Sequence, residues 1–337
     1  MNGKNVLVLG GTGAMGVYLV PELADRGYQV DVISLDDVKS DRPDITYRVG
    51  DCKNDDFILQ VLTETHYDAV VDFMLYFGRE DYSKRYALMM EHTDHYITLS
   101  TYRVYSDKEL PTKETSPRLL DVSQDKDFLA TELDEYSLYK ARQEDAITSS
   151  GYKNWTILRP AITFSKTRFQ LTTMEANIWL WRALNGKTVL LPEGAMQIEA
   201  TMSWAGDVAK MIAGLVLNPK AYGEKYSVCT AEHQPWAQVA KYYEEILGMK
   251  YKVIPTEDYI QLMGGTPGAR YQLLYDRCLN RVMDNSKILE AAGMKQEDLT
   301  PIKEALAKEL ANLPAGFPKP EETVNAKMDA YAEAHGW

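Results

Sequence analysis

The sequence predicts an α/β protein, a doubly wound parallel sheet joined to a smaller α/β domain. Three observations carry this. The stretch Val6-Leu7-Val8-Leu9 is uniformly apolar, as a strand buried on both faces of a parallel sheet must be. It runs into Gly10, Gly13 and Gly16, then into a renewed apolar pattern, Val17-Tyr18-Leu19-Val20, that reads as a helix. Strand and helix patterns then alternate through the first half of the chain, the order that builds a parallel sheet with helices on both faces.

Each glycine has a physical task. A side chain at Gly10 would obstruct the tight turn, one at Gly13 would keep a pyrophosphate from the backbone, and one at Gly16 would hold the helix off the sheet. With Thr12, Ala14 and Met15 they form a loop that opens a helix, where free N–H groups and a partial positive charge suit phosphate. A second strand, Gln29-Val30-Asp31-Val32-Ile33-Ser34, follows Gly27 and completes the context of a dinucleotide-binding, Rossmann-type unit. The Gly-x-x-Gly-x-x-Gly spacing resembles the short-chain dehydrogenase/reductase superfamily.

The bulk properties fit a large globular protein. At 337 residues, 45% hydrophobic and 26% charged, the chain can bury one large or two joined cores. Lys and Arg number 37 against 49 Asp and Glu, a net charge of -12, which argues against a general nucleic-acid or acidic-membrane binder. Met1-Asn2-Gly3-Lys4 runs straight into the first strand, so no signal peptide is expected, and no apolar run reaches membrane-spanning length. Cys52, Cys229 and Cys278 are scattered and read as free thiols in a reducing cytoplasm. No metal centre is expected, because neither they nor the five histidines show ligand spacing.

After the second strand come Leu35-Asp36-Asp37. An acid here would accept hydrogen bonds from the adenosine ribose and favour NAD over NADP. In related enzymes the acid ends the strand, a position that matches Ser34, with Asp36 able to reach round. Lys39 and Arg42 are near enough in sequence to meet a 2′-phosphate, so NAD is favoured and NADP stays open. The next strand reads as Tyr47-Arg48-Val49-Gly50-Asp51, followed by Cys52. The resemblance implies that Asp51 and its neighbour meet the adenine; a strand-end turn is the plain alternative. Ala69-Val70-Val71-Asp72-Phe73-Met74 reads as a fourth strand. The resemblance puts Phe73 and Met74 beside the cofactor's central riboses, although a core strand needs the same residue types.

The fifth strand, Tyr96-Ile97-Thr98-Leu99, ends in Ser100-Thr101-Tyr102-Arg103-Val104-Tyr105, and Tyr136-Ser137-Leu138-Tyr139-Lys140 follows in a helix running to about Ser149. A spacing of four sets Tyr136 and Lys140 on one helix face. A phenol of pKa near 10 is a poor base at neutral pH, and a nearby ammonium with the positive nicotinamide would favour its phenolate. Tyr136 could then exchange a proton with a substrate oxygen while Thr101, at a strand end, holds that oxygen.

The order of glycine loop, Ser100-Thr101 and Tyr136-x-x-x-Lys140 resembles the extended short-chain dehydrogenase/reductases, the NAD-dependent epimerase/dehydratase family. Trp155-Thr156-Ile157-Leu158-Arg159-Pro160, Ser203 to Ala209, Tyr226-Ser227-Val228 and Asp284-Asn285-Ser286-Lys287 continue the likeness almost to the C-terminus. It implies a cofactor domain of residues 1–164 plus about 203–230, and a substrate-binding domain of about 165–202 plus 231–337. It implies Tyr136, Lys140 and Thr101 as catalytic residues, with Ser100, Tyr136 and Lys140 also against the cofactor. Two departures matter. Tyr102 and Arg103 stand where the family's 4,6-dehydratases carry an Asp-Glu pair, which argues against that dehydration. The polar segment 106–132 reads either as a lid or as a disordered excursion.

The substrate side is less legible. Arg159, Arg168 and Arg182 could each meet a diphosphate or simply pair with surface acids, and Trp179 and Trp181 suit a sugar platform or a core equally. Lys303 to Leu313 reads as an amphipathic helix, and residues from Pro314 onward as a loosely packed tail. The expected activity is NAD-dependent epimerisation or oxidoreduction of a sugar, nucleotide-activated by family analogy. An NADP-dependent carbonyl reductase, a dinucleotide sensor and an RNA-binding protein on the same fold are the alternatives. Family members often dimerise through the helix with the Tyr-x-x-x-Lys motif and its neighbour, here Tyr82 to Glu91, so a homodimer is expected.

Overall fold

A computed structural model describes residues 3–76, 81–131 and 135–337. Six strands, β1 (Asn5–Leu9), β2 (Gln29–Ser34), β3 (Ile45–Val49), β4 (Tyr67–Asp72), β5 (Thr93–Leu99) and β6 (Trp155–Pro160), join a seventh, Glu224–Val228, in one sheet. The order across it is seventh, β6, β5, β4, β1, β2, β3, and every pairing is parallel. The chain winds outward from β1 to β3, crosses back to β4 and winds the other way. This is the expected doubly wound sheet, and its reversal between β1 and β4 opens a crevice at their carboxyl ends.

Alternation along β1 divides the core. Val6 and Val8 join one buried cluster with Leu19 and Leu23 of α1 (Gly16–Asp25) and Val208 and Ile212 of the Ala205–Leu215 helix. Leu7 and Leu9 point the other way, toward Ile58 of α2 (Asp55–Glu64), Met89 of α3 (Tyr82–Glu91) and Ile147 of the Tyr136–Thr148 helix. Period-two side-chain direction with apolar residues on both faces is what a covered parallel strand requires. A third cluster gathers Trp179, Trp236, Tyr243 and Met328.

Several expectations are corrected. β3 ends at Val49, so Gly50, Asp51 and Cys52 form the turn beyond it. β4 ends at Asp72, whose buried carboxylate accepts the Met74 N–H (2.9 Å) and turns Phe73 and Met74 out of the strand. The segment after Thr101 is neither lid nor disordered over residues 106–131. It contains the short helices Leu119–Val122 and Lys126–Leu129, and fully buried Phe128 stacks on Tyr275 at 4.0 Å. None of these described residues lines the cavity below, and residue 132 lies outside the described residues. The chain after Pro314 is no loose tail: Glu322–Ala334 is a helix that buries Met328, and its Asp329 pairs with Arg182 at 2.9 Å. Among the described residues, no helix is long and apolar enough to cross a membrane.

Candidate active site

The glycine loop occupies the crevice. Gly10 has φ +72°, a conformation only glycine adopts without strain, and the Gly13 N–H donates to its carbonyl (3.1 Å). A Cβ on Gly13 would meet no protein atom nearer than 3.4 Å, so that side of the loop is open. A Cβ on Gly16 would lie 2.3 Å from the Gly11 carbonyl oxygen, so Gly16 protects the loop rather than helix–sheet packing. That second task belongs to Gly11, where a Cβ would fall 2.7 Å from Val32 and 3.0 Å from Val8. The missed signal is the doubled glycine after β1. Met15 caps α1 without a side-chain hydrogen bond, leaving the helix start available to an anion.

Thr12, Ser34 and Asp36 converge beyond β1 and β2. The Thr12 hydroxyl donates to the Asp36 carboxylate at 2.6 Å and lies 2.7 Å from the Ser34 hydroxyl, which in turn accepts the Asp36 N–H at 3.0 Å. Arg42 is committed elsewhere, ion-paired with Asp25 (2.5 Å) and Asp44 (2.7 Å). Asp51 is exposed and accepts the Lys53 N–H at 2.8 Å, a turn contact. Cys52 is buried with its thiol donating to the Ile33 carbonyl (3.3 Å), and burial pushes that thiol up to about 11.

A cavity of about 350 Å3 extends from Met15 past Phe73 and Met74 to Ser100, Thr101, Tyr136 and Lys140. Thr101 lies two residues beyond β5 and caps the short turn Tyr102–Val104, accepting the Arg103 N–H on its hydroxyl at 3.2 Å. Ser100 is buried beside it and lines the same cavity. Tyr136 begins its helix directly after Glu135, which accepts the Leu138 N–H at 2.9 Å as the cap. One turn on, the Lys140 ammonium lies 6.0 Å from the Tyr136 ring centre and donates to the Leu99 carbonyl at 2.7 Å. Burial holds Lys140 down to about 8, against the pull of Asp72 and Glu144.

The electrostatics at Tyr136 differ from expectation. Burial raises its phenol, and the cations opposing this are Arg103 and Arg168, with Glu135 reinforcing the rise. The Arg103 guanidinium sits 5.1 Å from the ring centre, held by Glu135 (3.1 Å) and Asp276 (3.2 Å). The cavity's far wall comes from Arg168, Gln170, Glu175 and Arg277. Arg277 is buried, donating to the Tyr102 hydroxyl at 3.1 Å and the Thr172 carbonyl at 2.6 Å.

Other candidates lie elsewhere. Arg159 is buried beneath the site, forked onto Glu144 at 2.8 and 2.5 Å, and Arg182 is buried against Thr188, Asn325 and Asp329. Neither lines the cavity, Arg159 being paired with buried Glu144 and Arg182 with half-exposed Asp329, whereas Arg168 does line it. Trp179 is core, 4.1 Å from the Tyr243 ring, and half-buried Trp181 faces Lys187. Sequence reading also missed Asp72, which accepts the Tyr76 (2.9 Å) and Tyr96 (2.8 Å) hydroxyls behind the cavity. Its signal was an acid ending an apolar strand. At the opposite, amino end of the strands, His66, Asp68 and Asp94 bring ligand atoms within 4.8 Å of one another, with Lys4 on Asp68 at 3.1 Å.

A glycine loop at a sheet's switch point, sharing one cavity with Tyr-x-x-x-Lys and a strand-end Thr, defines an α/β protein of the extended short-chain dehydrogenase/reductase class. Residues 6–229 match the model of the NAD dependent epimerase/dehydratase family, and the chain belongs to that family. None of the curated proteins matches it. Solved structures share its fold. An epimerase from Methanothermobacter thermautotrophicus has 15% identity over 92% of this chain and 93% of its own (TM-score 0.68). The UDP-glucose 4-epimerase of Thermotoga maritima, solved with UDP-glucose, has 19% identity over 91% and 97% (TM-score 0.65). The Thermus thermophilus UDP-glucose 4-epimerase, in complex with NAD, has 18% over 93% and 99% (TM-score 0.63).

Proposed function

We propose that the chain is an NAD-dependent epimerase or oxidoreductase working on a hydroxyl- or keto-bearing carbon of a nucleotide-activated sugar, with Tyr136, Lys140 and Thr101 as its machinery. The observation that carries this reading is the single cavity shared by Met15, Phe73, Met74, Thr101, Tyr136 and Lys140. The residues fit the cofactor. Gly13 leaves the loop backbone open to a pyrophosphate, the start of α1 lacks a side-chain cap, and Asp36 offers a carboxylate to ribose hydroxyls. That carboxylate would repel a 2′-phosphate, and Arg42 is already paired, so NAD is favoured over NADP. Asp51 and Cys52 would flank the adenine.

When bound, NAD supplies acceptance and return of hydride at the reacting carbon. Thr101 accepts the Arg103 N–H, which leaves its own hydrogen for the substrate oxygen. Tyr136 takes the hydroxyl proton as oxidation proceeds and gives it back on reduction. Lys140, held near 8 and braced on the Leu99 carbonyl, is protonated at neutral pH and favours the phenolate. Residues 165–202 and 231–337 would form the substrate domain, which supplies Arg168, Gln170, Glu175 and Arg277 to the cavity. Arg168 is the cation suited to a diphosphate. The reading includes a homodimer through α3 and the Tyr136 helix, where Ala87, Leu88 and Ala146 are only half covered.

The test begins with denaturing release and mass analysis of the copurifying nucleotide. Bound NAD near one per chain fits a recycling, epimerase-like cycle; transient binding fits an exchanging dehydrogenase. Assays on nucleotide sugars follow, and Tyr136→Phe is expected to lose at least about 100-fold in turnover with NAD affinity unchanged. Full activity in that variant, or a protein that binds no dinucleotide, would refute the reading.

A further inference from the structure

The residue that stands over Tyr136 was not expected to act there. We infer that Arg103 is a second cation on the Tyr136 phenol beside Lys140, and that Asp276 and Glu135 position it and set how much of its charge the phenol feels. This rests on Tyr136 as the proton carrier proposed above.

Arg103 touches two of the three candidate catalytic residues. Its backbone N–H donates to the Thr101 hydroxyl at 3.2 Å, while its guanidinium carbon lies 5.1 Å from the Tyr136 ring centre. The Lys140 ammonium is farther, at 6.0 Å, and turned to the Leu99 carbonyl. Two acids hold Arg103 from opposite sides. Glu135 precedes Tyr136 and contacts Arg103 at 3.1 Å. Asp276 reaches it at 3.2 Å from Leu273–Arg277, a turn of π-helix. Such turns concentrate at functional sites, because the extra residue re-aims side chains that an α-helix would not bring together.

Asp276 is fully buried and shared among three guanidiniums, those of Arg103, Arg277 and Arg281 (3.6 Å to the last). Burying so many charges is costly, and an apolar core would cost less. The arrangement makes sense as a holder for Arg103, the member of the cluster that overhangs the phenol.

The charges facing Tyr136 are Glu135 and Lys140 from its own helix, Arg103 from the turn after β5, and Arg168, Glu175 and Arg277 from the far wall. Arg103 opposes the rise that burial imposes on the phenol, and Glu135 adds to that rise. A unit charge about 5 Å away at an effective dielectric of about 20 is worth up to about two pH units, and the two acids reduce what the phenol feels. Burial still leaves the phenol raised on balance, and Arg103 limits that rise and so eases loss of the Tyr136 proton.

The test reads the phenol directly. Protein labelled with 3-fluorotyrosine is titrated by 19F NMR, the Tyr136 resonance being assigned by its loss in Tyr136→Phe. Arg103→Gln removes the charge while its amide can still donate to Glu135, and should raise the Tyr136 pKa by about one unit. Asp276→Asn leaves Glu135 holding Arg103, frees more of its charge, and should lower the same pKa. Arg103→Lys keeps the charge without the planar fork and should raise the pKa less than Arg103→Gln does. Opposite shifts support the inference, since a merely structural role has no reason to change sign, and Arg103→Met stands in where Arg103→Gln fails to fold, because Asp276 also serves Arg277 and Arg281. An unmoved pKa, or a rise in Asp276→Asn, overturns it. Both shifts together with full turnover in Tyr136→Phe would overturn the proposed function while leaving Arg103's influence intact.

Discussion

Adding one methyl group to the glycine loop separates its two tasks, cradling an anion and keeping the loop folded. In Gly13→Ala the new Cβ has no protein atom within 3.4 Å, and Gly13 is not among the positive-φ glycines. The folded protein should therefore keep its stability to within about 0.5 kcal/mol, or gain slightly from a stiffer unfolded chain. The methyl stands where the pyrophosphate should approach the backbone. Losing one N–H hydrogen bond to a charged group costs about 1.5–3 kcal/mol, so NAD affinity should fall roughly 10- to 100-fold. In Gly16→Ala the Cβ falls 2.3 Å from the Gly11 oxygen and 2.5 Å from its carbonyl carbon. That is about 1 Å inside contact with backbone that cannot swing away, and overpacking of this kind costs about 1–3 kcal/mol. Stability and binding should both drop. Isothermal calorimetry with NAD and urea unfolding of the three proteins make the comparison. Native-like NAD binding by Gly13→Ala would refute the loop as the pyrophosphate cradle.

Three further outcomes follow from burial. Lys140, lowered from 10.5 to about 8 by desolvation, holds fewer protons folded than unfolded between those values. Native stability should therefore gain from this group as pH rises from 8 to 10.5, and its charged form costs about 3 kcal/mol below that window. Lys140→Met loses the bond to Leu99, worth about 1 kcal/mol, yet should be about 2 kcal/mol more stable at pH 7 while losing turnover; a destabilised variant in urea unfolding would contradict this. Glu144→Ala leaves the Arg159 guanidinium buried without its forked partner. It should cost about 3–5 kcal/mol, and a loss under about 1 kcal/mol would mean that water or Tyr105 replaces the acid. Met328→Ala should cost about 2–5 kcal/mol, which a loosely packed C-terminus would not show in thermal unfolding.

The parts legible from sequence are those set by local periodicity and turn chemistry. β1, the glycine loop, α1 and the pairing of Tyr136 with Lys140 follow from spacing alone, and β6 runs over the residues read for it. What escaped depends on partners far along the chain. Arg159 and Arg182 look like surface cations until Glu144 and Asp329 are seen beside them. Arg103 gains its place from Glu135 and from Asp276, the second more than a hundred residues away. The Glu322–Ala334 helix is hard to see in the sequence because polar residues and alanines fill most of it, although Val324, Met328 and Tyr331 recur at helical spacing. The excursion after Thr101 misled for the same reason: Phe128, its one aromatic anchor among charges, finds Tyr275 only in the fold.

That contact has an evolutionary side. The Phe128 ring and the Asp125 carboxylate, 2.6 Å from the Tyr275 hydroxyl, buttress the turn that carries Asp276 and Arg277. The described part of the excursion itself stays out of the cavity. Mutations there can tilt the far wall by small amounts while Tyr136, Lys140 and Thr101 remain untouched. Drift in this polar stretch therefore reaches the site at one remove, through the far wall and through the hold of Asp276 on Arg103 above Tyr136, with no described residue of the excursion entering the cavity.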